Sequence, residues 1–204
     1  MTKHAFTYLA LGDSYTIGEA VPIHESFPYQ TIQRLRQQGL HFQAPEIVAK
    51  TGWTTSELAE HILHTKLNEH YDFVTLSIGV NNQYRGLSVA EFKDDFEFLL
   101  KKALHFAGEK AAHVIVLSIP DWSVTPFAKH KDQAAISKEI EAFNAVCKTL
   151  SAQYHTHFID ITPGTQKAKD DHKLLASDGL HYSGQTHADW AAATADIIKN
   201  QVSG

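Results

Sequence analysis

Two short stretches of this chain carry the side chains that acyl transfer through a serine requires. Ser14 stands in Leu-Gly-Asp-Ser-Tyr-Thr near the N-terminus, and Asp178 and His181 stand in Ser-Asp-Gly-Leu-His-Tyr near the C-terminus. A serine hydroxyl is a poor nucleophile at neutral pH. An imidazole must take its proton as attack proceeds, and a carboxylate must hold that imidazole in the right tautomer. Asp178 and His181 are separated by a glycine and a leucine, so a tight helical or 3₁₀-type turn places both side chains on one side, where they can pair. Asp121, in Ile-Pro-Asp-Trp, is the other acid considered, and it lacks a histidine at useful spacing. Taken alone, Ser14 after Gly12-Asp13 would read as a cap or turn residue. The histidine and the carboxylate give it a chemical reading.

Four blocks follow one another along the chain: Gly12-Asp13-Ser14 after an apolar run, the isolated Gly52 in Thr-Gly-Trp, Gly79-Val80-Asn81-Asn82 closing another apolar run, and Asp178-Gly179-Leu180-His181. In this order, over residues 5 to 195, they resemble the SGNH (GDSL-type) hydrolases, a family of serine esterases and lipase-like enzymes. The resemblance implies Ser14 as nucleophile, His181 as general base and acid, and Asp178 as the group that orients His181. It implies an oxyanion hole made of the Ser14 N–H, Gly52 and the Asn81 side chain. Elementary chemistry agrees, since a glycine lets substrate approach the backbone and an asparagine amide donates without a charge that would pair with the imidazole. No cofactor is implied. The chain has no Gly-x-Ser-x-Gly, so the nucleophile elbow of the α/β-hydrolase fold is not its route.

The sequence departs from the family pattern at three places. Position 82 is Asn where Asp is common, which removes a carboxylate that would serve as a local acceptor and puts the support of that loop in question. Tyr15 stands where Leu is frequent and Tyr182 where Pro is frequent; both are expected to reshape the rim of the pocket.

These residues need a scaffold that brings them together. Apolar runs at 6–11, 45–50, 73–78, 114–119 and 157–161, rich in Val, Ile, Phe and Thr, predict strands. Amphipathic segments at 28–38, 55–67, 89–106, 133–154 and 184–201 predict helices, with capping-box openings at Thr54-x-x-Glu57 and Ser88-x-x-Glu91 and a stop at Gly108. Alternation of the two, with strands too apolar to face water, predicts a three-layer α/β/α architecture: a five-stranded parallel sheet with helices on both faces. The resemblance implies the flavodoxin-like strand order. Ser14, Gly52 and Asn81 each follow a strand, and ligands of open parallel sheets bind outside the strands' carboxyl ends.

Composition bounds the remaining possibilities. The 204 residues fit one domain, residues 1–204, able to bury roughly 70 % of its unfolded surface. Twenty-three acidic against 18 basic side chains, with no basic run, argue against a nucleic-acid or anionic-membrane partner. No run of about 18 apolar residues predicts a membrane span. No secretory segment precedes the Ser14 motif, which gives the expectation of a cytoplasmic protein; a mature secreted form would look the same. The lone Cys147, in a helical stretch, reads as a buried thiol. His61-x-x-His64 and His155-x-His157 have metal-like spacing without a third ligand nearby, so no metal is expected.

The expected partner is a small-molecule ester. Tyr84, Arg85, Trp122 and Phe127 lie in two loops assigned to the same sheet edge and are the candidates for a walled, mostly apolar pocket with Arg85 at its mouth. Bulky walls predict short acyl chains. Acyltransferase and carbohydrate O-deacetylase activities would use the same triad. A reading of another class is a non-catalytic phosphate- or nucleotide-binding flavodoxin-like domain, disfavoured because Asp13 adds negative charge and no Lys or Arg is near. Oligomeric state is not encoded in any of these features.

Overall fold

The computed structural model describes residues 5–203. In chain order its elements are β1 (Tyr8–Gly12), α1 (Ser14–Ile17), α2 (Phe27–Gln37), β2 (Glu46–Ala49), α3 (Thr55–His64), β3 (Phe73–Ser77), α4 (Val80–Tyr84), α5 (Val89–Phe106), β4 (Val114–Leu117), α6 (Gln133–Gln153), β5 (His157–Ile159), α7 (Thr162–Gln166) and α8 (Gly184–Ser203), with short 3₁₀ turns between them. The five strands form one sheet in the order β2-β1-β3-β4-β5, every pair parallel. That order is the flavodoxin-like one, with helices on both faces. On one face α2 packs against α8; on the other α5 packs between α3 and α6.

Local sequence explains most of these elements. β1 and β3 are buried along their whole length, as strands covered on both sides must be. In α5 the buried residues Phe92, Phe96, Leu99, Leu100, Ala103 and Leu104 recur at helical spacing and form one stripe. Both expected capping boxes are formed, with Thr54 accepting from the Glu57 amide and Ser88 from the Glu91 amide. Cys147 is buried as expected, and burial pushes its thiol far above the ordinary range.

Differences from the expected boundaries have local causes. The strands β4 and β5 end before residues 119 and 161 because side chains take over from the ladder: the Ile119 amide donates to Asn144 Oδ1 at 2.7 Å and the Ile161 amide to Ser118 Oγ at 2.9 Å. The third helix stops at His64, where Thr65 is extended. The short helices α1, α4 and α7 were not expected, since four or five residues are too few to show a period. Among the described residues, no helix is long and apolar enough to cross a membrane.

Gly79 links the core to the loop after β3. It has φ +131°, and a Cβ there would lie 2.6 Å from Phe92 and 2.8 Å from Ile119, both buried. Phe92 is itself packed 4.7 Å, ring to ring, against Phe143 of α6 and has no room to retreat. Gly79→Ala is therefore expected to cost at least about 2 kcal/mol from strain and overpacking. Thermal unfolding checks this; an unchanged Tm would show that the backbone relaxes without penalty.

Candidate active site

Each candidate group arrives at the carboxyl edge of the sheet by a separate route. Ser14 opens α1 immediately after β1, and Asp13 caps that helix by accepting the Tyr15 amide at 3.0 Å. Gly52 lies in the turn after β2, closed by the Trp53 amide donating to the Lys50 carbonyl at 3.2 Å, and its φ of +83° is one that only glycine adopts freely. Asn81 lies in α4 after β3. Asp178 and His181 lie in the loop before α8. Ser14, Gly52, Asn81 and His181 all line one cavity of about 190 Å³, together with Tyr15, Thr51, Val80, Tyr84, Trp122, Phe127 and Leu180.

The Asp178–His181 loop is closed on itself. Asp178 Oδ1 accepts the amides of Leu180 at 3.0 Å and His181 at 2.9 Å, and Oδ2 meets His181 Nδ1 at 2.6 Å. A carboxylate only accepts, so Nδ1 carries the imidazole proton and Nε2 is left with its lone pair. Burial pushes the Asp178 carboxyl upward, but the His181 ring and the two amides outweigh it and hold the group below the ordinary carboxylate range. It stays charged where the imidazole needs it. An imidazole held this way can take a proton from a hydroxyl beside it.

Two further ionisable groups stand close by. Burial, partly offset by the Tyr15 amide, pushes Asp13 up to about 7. Burial, reinforced by the neighbouring His181, pushes His187 down to about 3, and its Nδ1 accepts the Phe27 amide at 3.2 Å. A neutral His187 adds no second cation beside His181.

Asn81 and Asn82 face different tasks. Asn81 Nδ2 spends one hydrogen on the Trp53 carbonyl at 3.0 Å, leaving the other for a ligand. Asn82 is buried; its Oδ1 accepts the Thr55 amide at 3.0 Å and its Nδ2 donates to Thr55 Oγ1 at 2.7 Å. Thr55 Oγ1 must then give its own proton to Asp95 Oδ2, 2.9 Å away. The carboxylate missing from position 82 is thus supplied by α5, and the loop is supported after all.

Of the residues expected to wall the pocket, Tyr84, Trp122 and Phe127 do so, and they contact one another edge to face or tilted at ring distances of 5.5 to 6.3 Å. Trp122 is buried and donates through Nε1 to Gln83 Oε1 at 2.8 Å. Arg85 is not among the lining residues; its guanidinium turns to the Gly52 carbonyl and to Glu57. Tyr15 lines the cavity with its ring 5.0 Å from that of His181. Tyr182, expected at the rim, is instead fully buried, its hydroxyl donating to the Asp121 carbonyl at 2.8 Å. Asp121 is committed elsewhere, its carboxylate accepting from Ser123, Ser137 and Gln166. His61 packs on Trp53 at 4.8 Å, and His157 Nε2 lies 3.3 Å from Gln201. Thr51, Val80 and Leu180 were missed from sequence; the available sign was that each adjoins a residue of a block.

Comparison with known proteins places the chain's sequence and fold beside characterised ones. The sequence model of the GDSL-like lipase/acylhydrolase family matches residues 10–188. No curated protein matches the chain. Among solved structures, the fold is similar to a lipase/acylhydrolase from Enterococcus faecalis (21 % identity, 96 % of each chain covered, TM-score 0.72). It is also similar to the acetylxylan esterase Axe2 from Geobacillus stearothermophilus (16 % identity, 97 % of this chain and 96 % of that one, TM-score 0.75). A third is the psychrotrophic esterase EstA from Pseudoalteromonas sp. (16 % identity, 97 % and 99 %, TM-score 0.69).

Two outcomes follow from the network. A carboxyl whose folded value is about 7, against about 3.9 unfolded, keeps a proton that the unfolded chain has released between those limits. Its contribution to stability is therefore greatest below about pH 4 and is lost as pH rises toward 7. Asp13→Asn keeps an oxygen for the Tyr15 amide and should gain Tm over the parent as pH rises through that window; a constant difference would show that Asp13 is ionised throughout. Asn82→Asp places two carboxylates on the single proton of Thr55 Oγ1 and should cost about 1–3 kcal/mol at neutral pH. Adding Asp95→Asn should restore much of that loss in thermal melts; no restoration would mean that the two side chains are not coupled through Thr55.

Proposed function

Since this chain belongs to the GDSL-like lipase/acylhydrolase family, we propose that it hydrolyses carboxylic esters of short acyl chains through an acyl-enzyme on Ser14. Ser14 Oγ attacks the ester carbonyl while His181 Nε2 takes its proton, and Asp178 stabilises the imidazolium that forms. The developing oxyanion is received by the N–H groups of Ser14 and Gly52 and by the free hydrogen of Asn81 Nδ2. His181 then gives its proton to the departing alcohol and takes one from water; the hydroxide formed attacks the acyl carbonyl, and His181 returns the proton to Ser14 Oγ as the acid leaves. The observation that carries the reading is that Ser14, Gly52, Asn81 and His181, from four separate segments of the chain, line one small cavity, with Asp178 2.6 Å behind the imidazole.

The small substrate is inferred from the cavity. At about 190 Å³ it falls below the roughly 300–1,000 Å³ of sites for drug-sized ligands, and Tyr84, Trp122 and Phe127 wall it with aromatic rings. The family match over residues 10–188 supports treating residues 1–204 as one hydrolase domain.

Ser14→Ala should lower kcat on a short-chain ester by roughly 10⁴ to 10⁶, with Tm little changed because no core volume is lost. Activity within tenfold of the parent would remove Ser14 from the mechanism. Acetyl to butyryl esters should be cleaved faster than octanoyl esters, and Trp122→Ala should shift that preference toward longer chains in protein shown by melting to remain folded. A parent that prefers octanoyl esters would refute the short-acyl pocket.

A further inference from the structure

The geometry points to Arg85 as a positioning residue that docks the Gly52 turn onto α4 and so sets the spacing between the Gly52 amide and the Asn81 side chain. This inference rests on the proposed reading of those two groups as oxyanion donors.

Arg85 ends α4, its amide donating to the Asn81 carbonyl at 3.0 Å, so it stands one helical turn beyond Asn81 on the same short helix. Its Nη2 donates to the Gly52 carbonyl at 2.5 Å, and its Nη1 to Glu57 Oε1 at 3.3 Å. Asn81 Nδ2 meanwhile grips the next carbonyl along, that of Trp53, at 3.0 Å. Side chains of α4 and of its C-terminal cap therefore hold two successive carbonyls of the turn. The peptide between Gly52 and Trp53 is held at both ends, because the Trp53 amide donates to Lys50.

Glu57 completes the arrangement. Its Oε2 accepts the Thr54 amide at 2.8 Å and the Thr54 hydroxyl at 3.1 Å, while Oε1 faces Arg85. The Thr54 amide, acting against burial and joined by the Thr54 hydroxyl and by Arg85, holds the carboxyl below its ordinary range. Both ends of the guanidinium fork are thereby engaged, one on the capping box of α3 and one on the Gly52 turn.

A half-exposed ion pair such as Arg85–Glu57 does little for stability. A planar fork with two fixed acceptors does something else, which is to define direction. Gly52 has no side chain to pack and, at φ +83°, no backbone preference that would hold it in place. The turn needs an external anchor if its amide is to stay within about 0.5 Å of a productive position. Asn81 holds the Trp53 carbonyl with one hydrogen and keeps the other for the oxyanion, whereas Arg85, outside the cavity lining, holds the carbonyl of Gly52 itself.

Without Arg85 the turn stays attached through Lys50 and Asn81, so the protein should fold but hold its two donors less accurately. Misplacement of about 1 Å costs on the order of 10² in rate, so Arg85→Met, which loses only one of the turn's anchors, should lower kcat roughly 10-fold with KM changed less than about twofold. Lysine can pair with Glu57 or reach Gly52 but cannot fork to both, so Arg85→Lys should keep the Tm of the parent and still lose kcat.

The test measures kcat and KM per titrated active site for the parent, Ser14→Ala, Arg85→Met and Arg85→Lys, together with Tm and the second-order rate of inactivation by a fluorophosphonate. The expected result is a kcat loss in both Arg85 variants, matched by slower inactivation and unaccompanied by a comparable rise in KM. Should Arg85→Met fail to fold, Arg85→Lys carries the test. Parent-like kcat in a folded Arg85 variant, or a loss confined to KM or to the fraction of active protein, overturns the positioning role. A parent without Ser14-dependent hydrolysis overturns the underlying reading and this inference with it.

Discussion

The parallel pairing of β1 with β3, in which Gly12 lies opposite Ser77, is the place where the order of strands reverses. Chains leaving adjacent strands at such a point turn to opposite faces of the sheet and leave a crevice between them. Ser14 follows β1 by two residues, and Gly79 to Asn82 follow β3, so the two loops flank that crevice. The separation of the hydroxyl and the asparagine amide is thus inherited from a sheet register buried on both faces. A register fixed in this way cannot drift without exposing β1 and β3.

Around this fixed pair the other loops are tied by hydrogen bonds that cross between elements. Asn82, Thr55 and Asp95 join α4, α3 and α5; Arg85 and Asn81 hold the Gly52 turn; Tyr182 fastens the loop of His181 to the Asp121 carbonyl; the Phe127 amide reaches the Gly179 carbonyl at 3.3 Å. Burial and hydrogen bonding together set the charges in the same space. Asp178 stays ionised behind His181, while Asp13 is driven toward its neutral form and His187 stays neutral. The imidazole therefore has one charged carboxylate partner, which favours its becoming a cation transiently.

The parts of this arrangement that were legible in the sequence are those with a local cause. Apolar runs, helical periodicity and two capping boxes depend on neighbours within a few residues, and they marked the five strands and five longer helices. Asp178 and His181 were legible for the same reason, being three residues apart in one loop. What escaped depends on partners distant in the chain. Nothing near Asn82 announces Asp95, nothing near Arg85 announces the Gly52 carbonyl, and Tyr182 reads as a rim residue until α8 and the 120s loop close over it. The helices α1 and α4 escaped because each is a single turn fixed by the strand before it.

The central claim, that Ser14 is made nucleophilic by His181 in this cavity, is tested most directly by covalent labelling. The protein is treated with a fluorophosphonate, its intact mass is measured, and the modified peptide is mapped. The account predicts one adduct per chain on the peptide containing Ser14, formed far more slowly in His181→Ala at the same pH. No adduct, or an adduct on another residue that forms equally fast without His181, would contradict it.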